Sequence, residues 1–291
     1  MTGLPETKCS AALHALSFRK VQSALTIALL FGLLASGSGA WAGQFVQFDS
    51  GTSKESVQLT GYLARPPGSG PFAAVVLLHG CGGFHSSMIA WADRLAFFGY
   101  ATLAVDSFGP RGVSANCGGF GEQVADGYAA LHYLTSKSFI RSSHVAVLGF
   151  SMGGGSVLAS LEKGLVERLY TERFRSGVAF YPAGCNSSSG IMTAPVLVLT
   201  GDADDWTPSA ACEAMVAGRS EIGVSRAPGD RSLIELVIYP GAHHGFDLSD
   251  LSLVPSRGVN FQGHRIEYNE EATKNSIARV RDFLQRTLAQ P

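Results

Sequence analysis

The chain has 291 residues, of which 15% are charged, and a formal net charge of −1. That balance gives no electrostatic footing for nucleic acid or for an anionic membrane surface. No internal repeat, charge block or low-complexity linker divides the sequence, so one enzyme-sized domain acting on small molecules is the expectation.

The first element reads as an export signal. Arg19 and Lys20 form a basic flank, residues 24–35 are almost continuously apolar, and Ser36-Gly37-Ser38-Gly39 ends the run. Ala40-Trp41-Ala42 then offers an A-x-A cleavage site before Gly43. The apolar core is about a dozen residues, shorter than the roughly 20 that a membrane-spanning helix needs. Residues 1–42 are therefore expected to be removed, leaving no stable membrane anchor and a periplasmic or secreted chain. Removing 1–42 from 291 leaves 249 residues, a size that one α/β domain routinely reaches.

Strand and helix signals alternate in residues 43–291. Residues 57–64 alternate apolar and polar side chains and end at Arg65-Pro66-Pro67-Gly68, an outer strand closed by a turn. Residues 73–78 are a short unbroken apolar run, as a strand buried on both faces requires, and similar runs recur at 100–105, 145–150, 177–181, 195–200 and 233–239. Helix-compatible stretches lie at 86–98, 123–135, 152–161 and 209–217. A last amphipathic helix, 271–288, repeats Ile277, Val280, Phe283 and Leu284 at helical spacing. This order predicts a mainly parallel sheet of about eight strands with helices on both faces. In such sheets chemistry sits beyond the carboxyl ends of the strands.

Of the five cysteines, Cys9 falls in the leader, which leaves Cys81, Cys117, Cys185 and Cys212. None forms C-x-x-C, so neither a zinc knuckle nor a thioredoxin-like site is expected. An even number in an exported chain predicts two disulfides. Three pairings are open from sequence, and the one favoured is Cys81–Cys117 with Cys185–Cys212.

Gly149-Phe150-Ser151-Met152-Gly153 fits G-x-S-x-G. In a chain this rich in glycine, chance alone gives on the order of 0.3 such matches, so the setting matters more than the pattern. The match follows the buried run Val145-Ala146-Val147-Leu148 and opens a helical stretch, the strand–turn–helix context of a nucleophile elbow. Such a turn lifts the serine hydroxyl out of the sheet and leaves the Met152 N–H at a helix N-terminus, free to stabilise an oxyanion. A hydroxyl needs a base, and the base an orienting acid. The next strand ends in Gly201-Asp202-Ala203-Asp204-Asp205, and the one after in Pro240-Gly241-Ala242-His243-His244. Spacing alone leaves the acid open among Asp202, Asp204 and Asp205, and the base open between His243 and His244. A second oxyanion donor is expected in the loop after the first buried strand, His79-Gly80-Cys81-Gly82-Gly83, with the Cys81 N–H the candidate and His79 structural.

Taken together, these pieces resemble the dienelactone hydrolase family of the α/β-hydrolase superfamily over about residues 57–287. The resemblance also rests on Asp106-Ser107-Phe108-Gly109-Pro110-Arg111-Gly112, on Gly201 to Pro208, and on Tyr239-Pro240-Gly241-Ala242-His243-His244-Gly245-Phe246-Asp247. It implies that the G-x-x-D-x-x-x-P acid is Asp204 and that the histidine before Gly-Phe, His244, is the base. It offers Arg111 as a counterpart for the arginines that hold a substrate carboxylate. Two departures stand out: Ser151 replaces the family's cysteine nucleophile, and Gly80 stands roughly where the family places a glutamate. The expected activity is hydrolysis of small carboxylic esters or lactones through an acyl-enzyme on Ser151, with no metal or cofactor required. The competing reading is a catalytically silent hydrolase fold serving as an exported ligand-binding protein.

Overall fold

A computed structural model describes residues 43–50, 56–118, 121–219, 230–248 and 259–288; the expected signal segment, residues 1–42, lies outside them. Strands form where the sequence offers unbroken apolar runs. Phe72–Leu78 (β3), Ala101–Asp106 (β4), Ile140–Phe150 (β5), Ser176–Phe180 (β6) and Val196–Gly201 (β7) are buried along most of their length, and Ile234–Tyr239 (β8) follows as a half-buried flank. Two further strands precede them, Gln44–Asp49 (β1) and Gln58–Ala64 (β2). All eight join one sheet in the order β1-β2-β4-β3-β5-β6-β7-β8. β1 pairs with β2 and β2 with β4 antiparallel, and every pairing from β4 to β8 is parallel. This is the α/β-hydrolase architecture that the alternating pattern predicts.

Alternation along the strands sends side chains to two apolar layers. Val76, Leu78, Val147 and Val198 pack against Gly121–Thr135 (α2) through Leu131 and Leu134, against Met152–Leu161 (α3) through Val157, and against Ser209–Val216 (α5) through Met215. Val75, Leu77, Leu148 and Leu197 face the other way, onto Ser86–Phe97 (α1) through Trp91 and Leu95 and onto Glu270–Leu288 (α6) through Val280, Phe283 and Leu284. Each face is thus covered, which is why the central strands carry no polar alternation.

Elements absent from the sequence reading are β1, the short helix Leu165–Leu169 (α4), a 3₁₀ turn at Gly109–Arg111, and a ribbon of Val259–Phe261 (β9) and His264–Ile266 (β10). β5 also begins at Ile140, five residues before the apolar run at Val145. Both favoured disulfides are formed: Cys81–Cys117 has a Cα–Cα distance of 4.8 Å and Cys185–Cys212 one of 4.9 Å. The first ties the loop after β3 to the segment before α2, and the second ties the loop after β6 to α5.

Candidate active site

β5 ends at the centre of the sheet, and the chain reverses there into α3. Ser151 sits at the reversal with φ 53° and ψ −113°, a conformation that L-residues rarely adopt. The flanking glycines are sterically obligatory. A Cβ on Gly149 would lie 2.2 Å from the Gly153 carbonyl oxygen, and one on Gly153 would lie 2.3 Å from that of Leu78.

Two later strand ends bring the partners. β7 delivers Asp204, β8 delivers His244, and both are nearly fully buried. His244 Nε2 is 2.9 Å from Ser151 Oγ, and His244 Nδ1 is 2.8 Å from Asp204 Oδ2. Asp204 Oδ1 accepts the backbone N–H groups of Trp206 and Thr207, both at 2.9 Å, and the Thr207 hydroxyl lies 2.9 Å from Oδ2. Burial alone would raise the carboxyl pKa, but the bonds from His244, Thr207 and Trp206 outweigh it and hold Asp204 below the ordinary carboxylate value. The His244 loop is fixed in turn by a bridge to Ile266 and by the Glu267 N–H on the His244 carbonyl, 3.1 Å.

The structure also separates the neighbours that spacing could not. Asp202 accepts the Gly241 N–H at 2.6 Å and caps the turn after β8. Asp205 accepts the Arg265 N–H at 3.2 Å and faces the ribbon. Neither is bonded to His244, and His243 is not bonded to Ser151.

In the loop after β3, the Gly80 carbonyl accepts His79 Nδ1–H at 2.7 Å and the Gly83 N–H at 3.1 Å. Across a trans peptide the following N–H points the opposite way, so this anchoring turns the Cys81 N–H away from His79, and Cys81 itself lines the cavity beside Ser151. His79 Nε2 accepts the Ser107 N–H at 3.2 Å, so the imidazole is a buried neutral strut, its pKa lowered by burial. Gln123 links this loop to the elbow: its amide donates to the His79 carbonyl at 3.0 Å, and its oxygen accepts the Ser156 hydroxyl at 2.8 Å. Met152 is the first residue of α3, so its N–H has no partner within that helix.

Arg111 is a correction. Its guanidinium makes two 2.8 Å bonds to the fully buried Asp126 and a third, 2.6 Å, to the Ser107 carbonyl. It does not line the cavity beside Ser151. Bidentate pairing with a buried carboxylate uses the fork that a substrate carboxylate would need. Gly80, where the family resemblance places a glutamate, does lie against the nucleophile, since a Cβ there would be 3.4 Å from Ser151 Cβ. The hydroxyl therefore has no carboxylate neighbour on that side.

Several residues of the site carry no role that the sequence alone assigns to them. Tyr181, at φ 34°, packs its ring 4.6 Å from that of His244 and donates its hydroxyl to Asp247 at 2.6 Å. Trp91 Nε1–H donates to the same carboxylate at 2.7 Å. Asp247 is buried, and that burial raises its pKa despite the two hydrogen bonds. Trp206 lies 4.9 Å from His244 and stacks on His264. Asp247 was visible as the end of the His244 motif, and Trp206 as the aromatic beside the acid. The ribbon residues carried no signal. Of these groups Tyr181 and Trp206, with Phe261 and Ile266 of the ribbon, line a cavity of about 170 Å³ beside Ser151. A larger groove of about 850 Å³ lies between the N-terminal end of β7 and α6, away from all three strand ends that carry the site.

Residues 59–288 match the dienelactone hydrolase family. The chain is similar to a probable 2-oxo-3-(5-oxofuran-2-ylidene)propanoate lactonase of Bradyrhizobium sp., 28% identical over 68% of this chain and 82% of the lactonase. It is also similar to a bis(hydroxyethyl) terephthalate hydrolase of Streptomyces coelicolor, 29% identical over 64% of this chain and 57% of that protein. Among solved structures it shares its fold with a dienelactone hydrolase-like promiscuous phosphotriesterase from metagenomic libraries, with a TM-score of 0.63 and 21% identity over 84% of this chain and 99% of that one. The fold is likewise that of Thermogutta terrifontis esterase 2 phosphorylated by paraoxon, with a TM-score of 0.59 and 15% identity over 86% and 96% of the two chains.

Proposed function

Because the chain belongs to the dienelactone hydrolase family and is a carboxylic ester hydrolase, we propose that it cleaves small esters or lactones through an acyl-enzyme on Ser151. The observation that carries this reading is the continuous hydrogen-bond chain from Ser151 Oγ through His244 to Asp204, at 2.9 and 2.8 Å, drawn from three separate strand ends. Asp204 fixes the proton on His244 Nδ1, which leaves Nε2 as the base facing the hydroxyl. His244 takes the Ser151 proton as Oγ attacks the carbonyl carbon. The Met152 and Cys81 N–H groups hold the oxyanion of the tetrahedral intermediate. His244 then returns the proton to the departing alkoxide, and a water molecule activated by the same imidazole releases the acid and restores Ser151.

Cysteine in place of serine would be ionised by a neighbouring cation or by its imidazole. A hydroxyl instead depends on base catalysis within the attack itself, which fits the intact Ser–His–Asp chain and the glycine at position 80. Ser151→Ala is expected to lower kcat on p-nitrophenyl acetate by roughly 10⁴-fold or more. Wild-type turnover by that variant would sink the reading, and would favour a silent binding fold with adventitious hydrolysis.

The two disulfides and the leader pattern support an exported protein cleaved after Ala42. N-terminal sequencing of the protein recovered from the periplasm or medium should begin at Gly43; an intact leader on cytoplasmic protein would contradict this.

A further inference from the structure

We propose that the cavity beside Ser151 selects an uncharged group about the size of one aromatic ring, so that esters bearing a carboxylate there are poor substrates. The inference rests on Ser151 being the nucleophile and goes further, to the substrate class. At about 170 Å³ the cavity is close in volume to the roughly 150 Å³ apolar cavity that accepts benzene in another protein. Its walls are Met88, Phe150, Leu248, Phe261 and Ile266, together with the rings of Tyr181 and Trp206. Trp206 is a fixed face: it stacks on His264 at 5.0 Å with 8° between the planes and touches Phe261 at 5.7 Å. Flat, quadrupolar surfaces of this kind favour aryl groups.

Charge is the second half of the argument. Among the described residues no lysine, arginine, aspartate or glutamate lines the cavity. Its described polar side chains are Ser151, His244, the Trp206 indole, Tyr181, whose hydroxyl is bonded to Asp247, and the pair Ser87–His85, whose Oγ and Nδ1 are 2.9 Å apart. Among the described residues, Arg111 pairs with Asp126 and Arg265 with Glu267. A carboxylate entering these walls loses its water and gains no counter-charge from the described lining residues, while an amide of the same shape loses far less.

The test is a comparison of kcat/KM for matched ester pairs. In 4-acetoxybenzamide and 4-acetoxybenzoate the ring is on the leaving-group side; in methyl 4-carbamoylbenzoate and methyl 4-carboxybenzoate it is on the acyl side. In the pair whose neutral member is turned over faster, the neutral ester should exceed the charged one by at least about tenfold. Phe261→Arg, at a partly exposed position on the ribbon, should narrow that ratio at least about threefold by supplying a cation at the cavity. Equal rates within the pairs, or preference for the carboxylate, would overturn the inference. Labelling Ser151 with a fluorophosphonate separates the two levels. A labelled enzyme that ignores charge refutes the substrate class alone, whereas an unlabelled one refutes the nucleophile itself.

Discussion

Asp204→Asn isolates what the carboxylate does, because the structure dictates how the amide must sit. Oδ1 accepts two backbone N–H groups at 2.9 Å, from Trp206 and Thr207. Only an amide oxygen can stay in that position, so the NH₂ takes the place of Oδ2, 2.8 Å from His244 Nδ1. The imidazole then has to accept at Nδ1, and its proton moves to Nε2, 2.9 Å from Ser151 Oγ. A protonated Nε2 cannot take the serine proton. Such a tautomer error costs about 10⁴ in kcat in serine proteases, equivalent to ~5.5 kcal/mol of barrier. The fold should survive, since every hydrogen bond keeps a partner. The assay is kcat for p-nitrophenyl acetate alongside thermal melting, with Asp202→Asn as the control, which caps a turn away from the imidazole. A loss below tenfold in a well-folded Asp204→Asn variant would show that His244 is not oriented by Asp204.

Asp247→Ala would leave the buried Trp91 and Tyr181 donors unpaired and should cost about 2–5 kcal/mol in denaturant melts; a smaller loss than that of Asp247→Asn would contradict this, because the amide oxygen can accept from Trp91 while Tyr181 accepts from the NH₂. The folded pKa of Asp247 is raised by burial, so its contribution is fullest below the ordinary carboxylate pKa and is lost as pH rises through the raised value. Wild type should therefore lose stability relative to Asp247→Asn from pH 4 toward neutrality, and a flat difference in Tm would argue against an ionising Asp247. Chain-entropy loss for closed loops with sequence separations of 36 and 27 residues predicts stabilisation of about 4 kcal/mol for Cys81–Cys117 and about 3.5 kcal/mol for Cys185–Cys212. Replacing both members of the first pair with serine should also depress kcat, since the disulfide holds the loop that carries the proposed Cys81 N–H donor, and an unchanged kcat would show that the disulfide is not needed to position it. Gly153→Ala should give little soluble protein, because the new Cβ meets the Leu78 and His79 carbonyl oxygens at 2.3 and 2.7 Å; a stable, active variant would mean that the elbow is less tightly packed than described.

What the sequence discloses depends on where the information resides. Strands buried on both faces are legible because each is a local apolar run, and β3, β4, β6 and β7 fall where those runs do. β1 escapes because it is an outer strand with mostly exposed side chains, without the run that identifies a central one. The ribbon escapes because three residues on each side, joined by a turn at Gln262-Gly263, make sense only against the site they flank. The serine turn is local and was legible from residues alone, whereas the choice of Asp204 over Asp205 needed the family resemblance. The structure supplies its physical reason: Asp204 turns inward to collect the N–H groups of the following turn, while Asp205 reaches outward to the ribbon. Arg111 misled for the opposite reason. Its partner, Asp126, lies on a different element and meets it only once α2 packs against the 3₁₀ turn.

The central claim is that Ser151 forms the covalent intermediate. Intact-mass and peptide mass spectrometry after treatment with a fluorophosphonate tests it most directly. The account predicts one adduct per chain, mapped to Ser151 and absent from Ser151→Ala. An enzyme that hydrolyses esters but carries no adduct, or carries it on another residue, would contradict it.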